Sequence, residues 1–272
     1  MASFNTLKDR GLRYALGSAL RKSGHDIEYF AARKRLKPEP FKKYPIKVDD
    51  VNMVLDFGEG QIGKTVWQRI EGVREPETTA IIRSLLRPGN KVLELGSCYG
   101  YFTLLMSASV GTSGKVLAVE GLPLYFDILC RNIRNNKAEN VEALNYFVGS
   151  KGGSIRFKKG SNGYKEFSEY NLNKPHENSN DSTEVEVINL AEFLNQKNFI
   201  PDYIFMDIEG FELDALEQLA AEFLRQHSTT IIFEHHAKFY TEEKGLDYIR
   251  HVLRDCNYET RLIYGNVVAF KK

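Results

Sequence analysis

Two short segments of this chain carry side chains able to move protons. Met206-Asp207-Ile208-Glu209-Gly210-Phe211-Glu212 sets carboxylates around a glycine, and Ile232-Phe233-Glu234-His235-His236 ends an apolar run on paired imidazoles. A carboxylate or imidazole beside a hydroxyl can take its proton while the oxygen forms a new bond. Asp207, Glu209 and His235 are the predicted catalytic set. Strand side chains alternate, so one of the two histidines faces a site, and His235 is the one favoured. The same three residues could hold Mg²⁺ or another divalent ion, since carboxylates with an imidazole suit hard or borderline metals, but a required metal is not expected. Glu212, in the first turn of a predicted helix, is read as complementing the helix dipole.

A second constellation lies in Val92-Leu93-Glu94-Leu95-Gly96-Ser97-Cys98-Tyr99-Gly100. An acidic residue at a strand end precedes two glycines four apart. Gly96 allows a close backbone approach to a ligand, and Gly100 relieves crowding where a helix starts. A dinucleotide-binding turn would read G-x-G-x-x-G and present helix N–H groups to a pyrophosphate; its middle glycine is missing, so a ligand without pyrophosphate is implied. Glu94 is expected to face a cationic end of that ligand. Backbone groups of Ser97, Cys98, Tyr99, Gly100 and Tyr101 should line it, and Phe102 joins the binding set. Glu120 ends the next strand, where a carboxylate accepts both hydroxyls of a ribose. Gly121, Val148 and Asp207 complete the expected binding set at neighbouring strand ends.

The elements that must hold these groups alternate strictly. Pro76 and Glu77 open a helix closed by Arg87-Pro88-Gly89. Strands follow at Lys91–Leu95, Lys115–Glu120, Val141–Val148, Tyr203–Asp207 and Thr229–Glu234, with helical segments between them. Tyr258–Tyr264 and Val267–Phe270 are joined by Gly265-Asn266, a hairpin signal. Crossovers require a mostly parallel sheet with helices on both faces, and the hairpin turns the last strand antiparallel. The expected fold is therefore α/β: a doubly wound, mostly parallel seven-stranded sheet with a C-terminal antiparallel hairpin. That mixed sheet is the pattern of class I methyltransferases, whose cofactor is S-adenosylmethionine.

Residues 1–75 read as an N-terminal appendage and 76–272 as the cofactor-binding domain. Leu7 to Lys37 is a basic amphipathic helical pattern, and Pro38, Pro40 and Pro45 break it. Ile46–Phe57 and Lys64–Ile70 read as two strands around Gly58-Glu59-Gly60. Lys151 to Ser182 is a long irregular excursion with a hairpin expected at Ile155–Phe157. Its Tyr164, Phe167 and Tyr170, with Lys158, Lys159 and Lys165, could form a lid. Trp67 and Tyr240 are further candidates for a pocket wall.

Thirty-seven basic and 36 acidic residues nearly cancel, to a net charge of +1, so bulk charge marks neither a nucleic-acid binder nor an acidic-ligand sink. Cys98, Cys130 and Cys256 have no disulfide or zinc spacing, which fits a reducing cytoplasm. No apolar run approaches the roughly 18 residues of a membrane span, and no leader is evident. The chain is read as cytoplasmic, with homo-oligomerisation left open.

Glu94 to Thr103 (ELGSCYGYFT), Glu120-Gly121-Leu122-Pro123 with Asn132 and Asn136, the segment from Met206 to Glu212, and Ile232 to His236 together resemble the FkbM family of methyltransferases. The similarity covers about Pro76 to His236. The family commonly has Asp at the Glu94 position and Ala-Asn where this chain has Ser97-Cys98; both changes keep the needed chemistry. The resemblance implies S-adenosylmethionine as donor and O-methylation of hydroxyls, often on sugars or polyketide-type natural products. It does not supply the acceptor, which is expected to be a glycan or small molecule. Transfer to RNA or to nitrogen is the alternative, but no aromatic-basic RNA motif is visible. A noncatalytic cofactor-binding protein of the same fold is a third reading.

Overall fold

The computed structural model describes residue 24 and residues 41–58, 64–149, 152–158, 182–241, 243–263 and 265–272. Strands β1 (Tyr44–Val48) and β2 (Val51–Leu55) lead through helices α1 (Lys64–Ile70) and α2 (Pro76–Leu85) into the alternating region. There follow β3 (Lys91–Leu95), α3 (Tyr101–Val110), β4 (Lys115–Val119), α4 (Pro123–Asn135), β5 (Val141–Leu144), β6 (Tyr146–Val148), β7 (Gly153–Lys158) and β8 (Ser182–Ile188). The chain ends with α5 (Leu190–Gln196), β9 (Tyr203–Met206), α6 (Glu212–Glu222), β10 (Thr230–Glu234), a 3₁₀ turn (Ala237–Phe239), α7 (Leu246–Asp255), β11 (Tyr258–Ile263) and β12 (Asn266–Lys271).

Seven strands form one sheet in the order β11-β12-β10-β9-β3-β4-β5, with β12 antiparallel to both of its neighbours. The expected doubly wound α/β sheet with an antiparallel C-terminal hairpin is what the chain forms. Central strands such as Lys91-Val92-Leu93-Glu94-Leu95 are buried on both faces, which is why they read as near-continuous apolar runs. Period-two alternation then splits the core. Leu93, Leu117, Ile204 and Ile231 face α5, α6 and α7, while Val92, Val116, Phe205 and Ile232 face α2 and α3. Pro76 at the first helical position of α2 suits its fixed backbone angle.

Four local readings are corrected. Ile46–Phe57 is itself a hairpin, β1 against β2, turning at Asp49-Asp50 with Asp49 in the left-handed region, which Asp tolerates. Lys64–Ile70 is a helix: Val66 and Ile70, four apart, face the same core, and that spacing outweighs their β propensity. The run Val141–Val148 divides at Asn145, whose amide donates to the carbonyl of Glu120 at 2.7 Å. Beyond it, β6 leaves the large sheet and joins a second one, β6-β8-β7, in which β8 had not been anticipated. The hairpin expected at Ile155–Phe157 is instead a strand, β7, paired antiparallel with β8. The basic segment Leu7–Lys37, apart from residue 24, and the candidate lid residues Lys159, Tyr164, Lys165, Phe167 and Tyr170 lie outside the described residues.

Candidate functional site

Strand β3 lies between β4 and β9, so strand order reverses beside it, and helices leave in opposite directions there. Such a switch point opens a crevice beyond the C-terminal strand ends. The crevice found here encloses about 300 Å³. Its walls come from the turn after β3, the end of β4, β6, the loop after β9, and the segment after β10.

The first wall is the glycine turn. Gly96, Cys98 and Gly100 all have positive φ, and the N–H groups of Gly96 and Ser97 both donate to the carbonyl of Val119, at 2.9 and 3.1 Å. A Cβ on Gly100 would lie 2.8 Å from Leu129 in α4, so glycine here lets the α3 terminus sit against the neighbouring helix. Asn132, fully buried in α4, fixes the other side by donating to the Tyr99 carbonyl at 2.8 Å, and it accepts from the Asp56 N–H at 2.8 Å. Asn132 and Asn136 thus tie the β1–β2 hairpin and the turn together rather than facing the crevice.

Glu120 follows β4 with its carboxylate in this turn. One oxygen accepts from the Cys98 N–H at 2.7 Å and the other from the Leu122 N–H at 2.8 Å. Burial raises its pKa to about 7 against those two hydrogen bonds. A ligand with a pair of adjacent hydroxyls would supply further donors to the free lone pairs, so this carboxylate fits the ribose of S-adenosylmethionine. Glu94 sits elsewhere. It is 4% exposed, lies beneath the turn outside the crevice lining, and accepts from Thr103 Oγ1; burial raises it also to about 7. Ser97, Cys98, Tyr99, Tyr101, Phe102, Gly121 and Val148 line the crevice with Gly96, Glu120 and Asp207. Gly100 stands just behind them, as the cap of α3.

The opposite wall carries a cluster of titratable groups. Asp207 follows β9 directly, and Glu209 follows in the left-handed region with φ 49°. His236 reaches toward both: Nε2 is 3.5 Å from Asp207 Oδ1 and 3.8 Å from Glu209 Oε2. Its Nδ1 lies 3.0 Å from Glu212 Oε1, and because an ionised carboxylate only accepts, Nδ1 would be the donor. Burial opposes charge on this ring, but the hydrogen bond and charge of Glu212, with Asp207 and Glu209, outweigh it and raise the pKa to about 9. His235 points away. It stacks on Tyr240 with centroids 5.0 Å apart, its Nε2 is buried without a hydrogen-bond partner among the described residues, and burial lowers its pKa. The structure brings Asp207, Glu209 and His236 together, not His235.

Asp207 lines the crevice with its side chain about half exposed, though protein surrounds it closely. That enclosure, with the carboxylates of Glu75 and Glu234 next to it, raises its pKa to about 7. Lys238 lies 3.5 Å from Glu209, and Arg74 pairs with Glu75. Asp207, Glu209 and His236 offer ligand atoms within 4.8 Å of one another, as do Glu75, Asp207 and Glu234, so His236 takes the place given to His235 in a metal set.

Several crevice residues had escaped notice. Glu234 ends β10, so the strand-end logic that found Asp207 could have found it. Phe147 and Phe211, edge to face at 4.7 Å, and Phe239 give the crevice apolar walls. Arg69, Arg74 and Glu75 come from α1 and the segment before α2, where no local pattern marked them. Trp67 and Tyr240 are not part of the lining.

The methyltransferase FkbM domain model matches residues 94–260, more than half of the chain. Protein-L-isoaspartate O-methyltransferase of Caenorhabditis elegans is 33% identical over 67 residues, 25% of this chain and 30% of that protein. The Methanopyrus kandleri enzyme of the same description is 30% identical over 104 residues, 38% of this chain and 42% of its own. The chain spans about a third of the length of the curated relatives it matches. Among solved structures, Pyrococcus horikoshii TYW2 in complex with MeSAdo is 16% identical with a TM-score of 0.45, covering 86% of this chain and 74% of that one. With its seven-stranded sheet, crevice and domain match taken together, this chain belongs to the FkbM family of S-adenosylmethionine-dependent methyltransferases.

Proposed function

We propose that the chain transfers a methyl group from S-adenosylmethionine to a hydroxyl oxygen of a sugar or other natural-product acceptor, with His236 as general base. One observation carries the reading: His236 directs Nε2 into the crevice beside Asp207 and Glu209 while buried Glu212 engages Nδ1. The turn from Gly96 to Phe102 and the Glu120 carboxylate would hold the cofactor. Bound there, it supplies a methyl group on a sulfonium, whose transfer to oxygen leaves S-adenosylhomocysteine and a methyl ether.

The acceptor hydroxyl has a high pKa, so its proton must leave as the ether forms; Nε2 of the neutral His236 ring takes it, so turnover should rise with pH toward about 9. A carboxylate acceptor, already ionised, would need no such base. Asp207 and Glu209 are placed to accept hydrogen bonds from the acceptor and orient it, and the faces of Phe211 and Phe239 suit a sugar ring. These groups handle a proton in this reading, and no metal is invoked. A reducing, cytoplasmic setting accords with the free thiols of Cys98, Cys130 and Cys256. Among the described residues, no helix is long and apolar enough to cross a membrane.

The test is incubation with methyl-labelled S-adenosylmethionine and separate pools of oligosaccharides, hydroxylated natural products, RNA and protein. Label on a saccharide or small-molecule hydroxyl supports the reading. Label confined to RNA or to protein carboxylates overturns it.

A further inference from the structure

Glu212 has no exposed surface, yet it collects four donors from separate segments of the chain. Oε1 accepts from the Ile208 N–H at 3.2 Å and from His236 Nδ1 at 3.0 Å. Oε2 accepts from the Gly210 N–H at 3.0 Å and from the Tyr240 hydroxyl. A carboxylate offers about four lone-pair sites, so Glu212 is saturated and has nothing left with which to touch a substrate. Burial alone would raise its pKa, but the bonds from His236 and Tyr240 hold it below the usual carboxylate value.

We propose that Glu212 is the positioning residue of this site: whenever the His236 ring is neutral it holds the single proton on Nδ1, leaving Nε2 bare toward the crevice, and it pins the Asp207–Gly210 loop against the same histidine. The inference rests on His236 being the base. A histidine ring in water prefers to carry its single proton on Nε2, the atom that must be empty to accept one. A charged acceptor fixed at Nδ1 reverses that preference, because charge-assisted hydrogen bonds are the stronger kind. The geometry is over-determined. Gly210, with φ 108°, lies under Phe239, where an added Cβ would be 2.7 Å from the ring, so the loop and the segment after β10 are packed as well as hydrogen-bonded. A role confined to the dipole of α6, as expected from sequence, would involve neither His236 nor Tyr240.

The charged groups facing His236 are Glu212 from α6, Asp207 and Glu209 from the loop after β9, and Glu234 at 4.0 Å from the end of β10. Glu212 alone meets Nδ1, so its replacement should change which nitrogen holds the proton, whereas a purely structural residue would not.

The experiment is nitrogen NMR of ¹⁵N-imidazole-labelled full-length protein, wild type and Glu212→Gln, above the titration of His236 and with EDTA present. The wild type is expected to show the Nδ1–H form of His236 in at least about tenfold excess, and Glu212→Gln to lose at least tenfold of that ratio. S-adenosylhomocysteine affinity within about threefold of wild type would show that the variant keeps its fold. If it does not fold, a wild-type spectrum dominated by Nε2–H overturns the proposal by itself, and one dominated by Nδ1–H supports it. An unchanged tautomer ratio in a folded Glu212→Gln protein also overturns it. Full turnover by His236→Ala alongside the expected NMR result would overturn the base assignment and leave the positioning role standing.

Discussion

A Cβ placed on Gly96 would fall 2.0 Å from the carbonyl oxygen of Asp207, nearer than any two such atoms can approach. The glycine turn after β3 and the loop after β9 are thus in backbone contact, and the Asp207 N–H donates to the Leu95 carbonyl at 3.0 Å just beneath. Gly96 also has φ 87°, which side-chain-bearing residues rarely adopt. Gly96→Ala is therefore expected to cost about 3 kcal/mol or more, from overpacking and strain together, measured by urea unfolding. A loss below about 1 kcal/mol would mean that the two segments are not in contact.

Glu120→Gln keeps an acceptor but loses the charge and one of the two carboxylate oxygens. A hydrogen bond to a charged group contributes about 1.5–3 kcal/mol, so S-adenosylhomocysteine should bind about 10- to 100-fold more weakly by calorimetric titration. NAD should bind neither protein. Unchanged affinity in the variant would remove Glu120 from the cofactor site.

Stability of the ligand-free protein should fall with rising pH. Glu94 and Glu120 titrate near 7 when folded against 4.5 in the open chain, and His236 near 9 against 6.5. Each raised group contributes fully below its unfolded pKa and loses that contribution as pH climbs through the folded value. The windows run from 4.5 to about 7 for the glutamates and from 6.5 to about 9 for His236. Glu212, shifted down, acts in the opposite sense, but its contribution is complete above the ordinary carboxylate pKa and constant there. Melting followed from about pH 5 to about pH 9 should show a decreasing midpoint; a rising one would contradict these assignments.

A proton-accepting Nε2 on His236 has to be free of metal. Methyl transfer should therefore persist at full rate after dialysis against EDTA. A loss restored by Mg²⁺ or Mn²⁺ would instead make Asp207, Glu209 and His236 ligands.

The large sheet was legible because buried parallel strands leave dense apolar runs and the Gly265-Asn266 turn marks the final hairpin. Short elements were not. Lys64–Ile70 contains β-formers, and only its packing on the hairpin core decides for helix. Ser182–Ile188 does carry the period-two alternation of a half-exposed strand, but the irregular stretch running into it hides where β8 begins. At the site, the presence of Asp207, Glu209 and Glu120 in the crevice lining followed from their places at strand ends. The choice between histidines did not follow because alternation says only that one of the two faces the site; Glu234 and His236, two apart, line the crevice and His235 between them does not. Glu212 gave no local hint of its role, since its partners His236 and Tyr240 are 24 and 28 residues away.

The most direct test of the central claim is the rate of S-adenosylhomocysteine release on a hydroxyl acceptor by wild type, His235→Ala and His236→Ala. General-base catalysis contributes about 10²- to 10⁴-fold, so His236→Ala should lose at least about 100-fold in kcat while His235→Ala stays within about tenfold of wild type. Full activity in His236→Ala, or the large loss in His235→Ala instead, would contradict the assignment of the base.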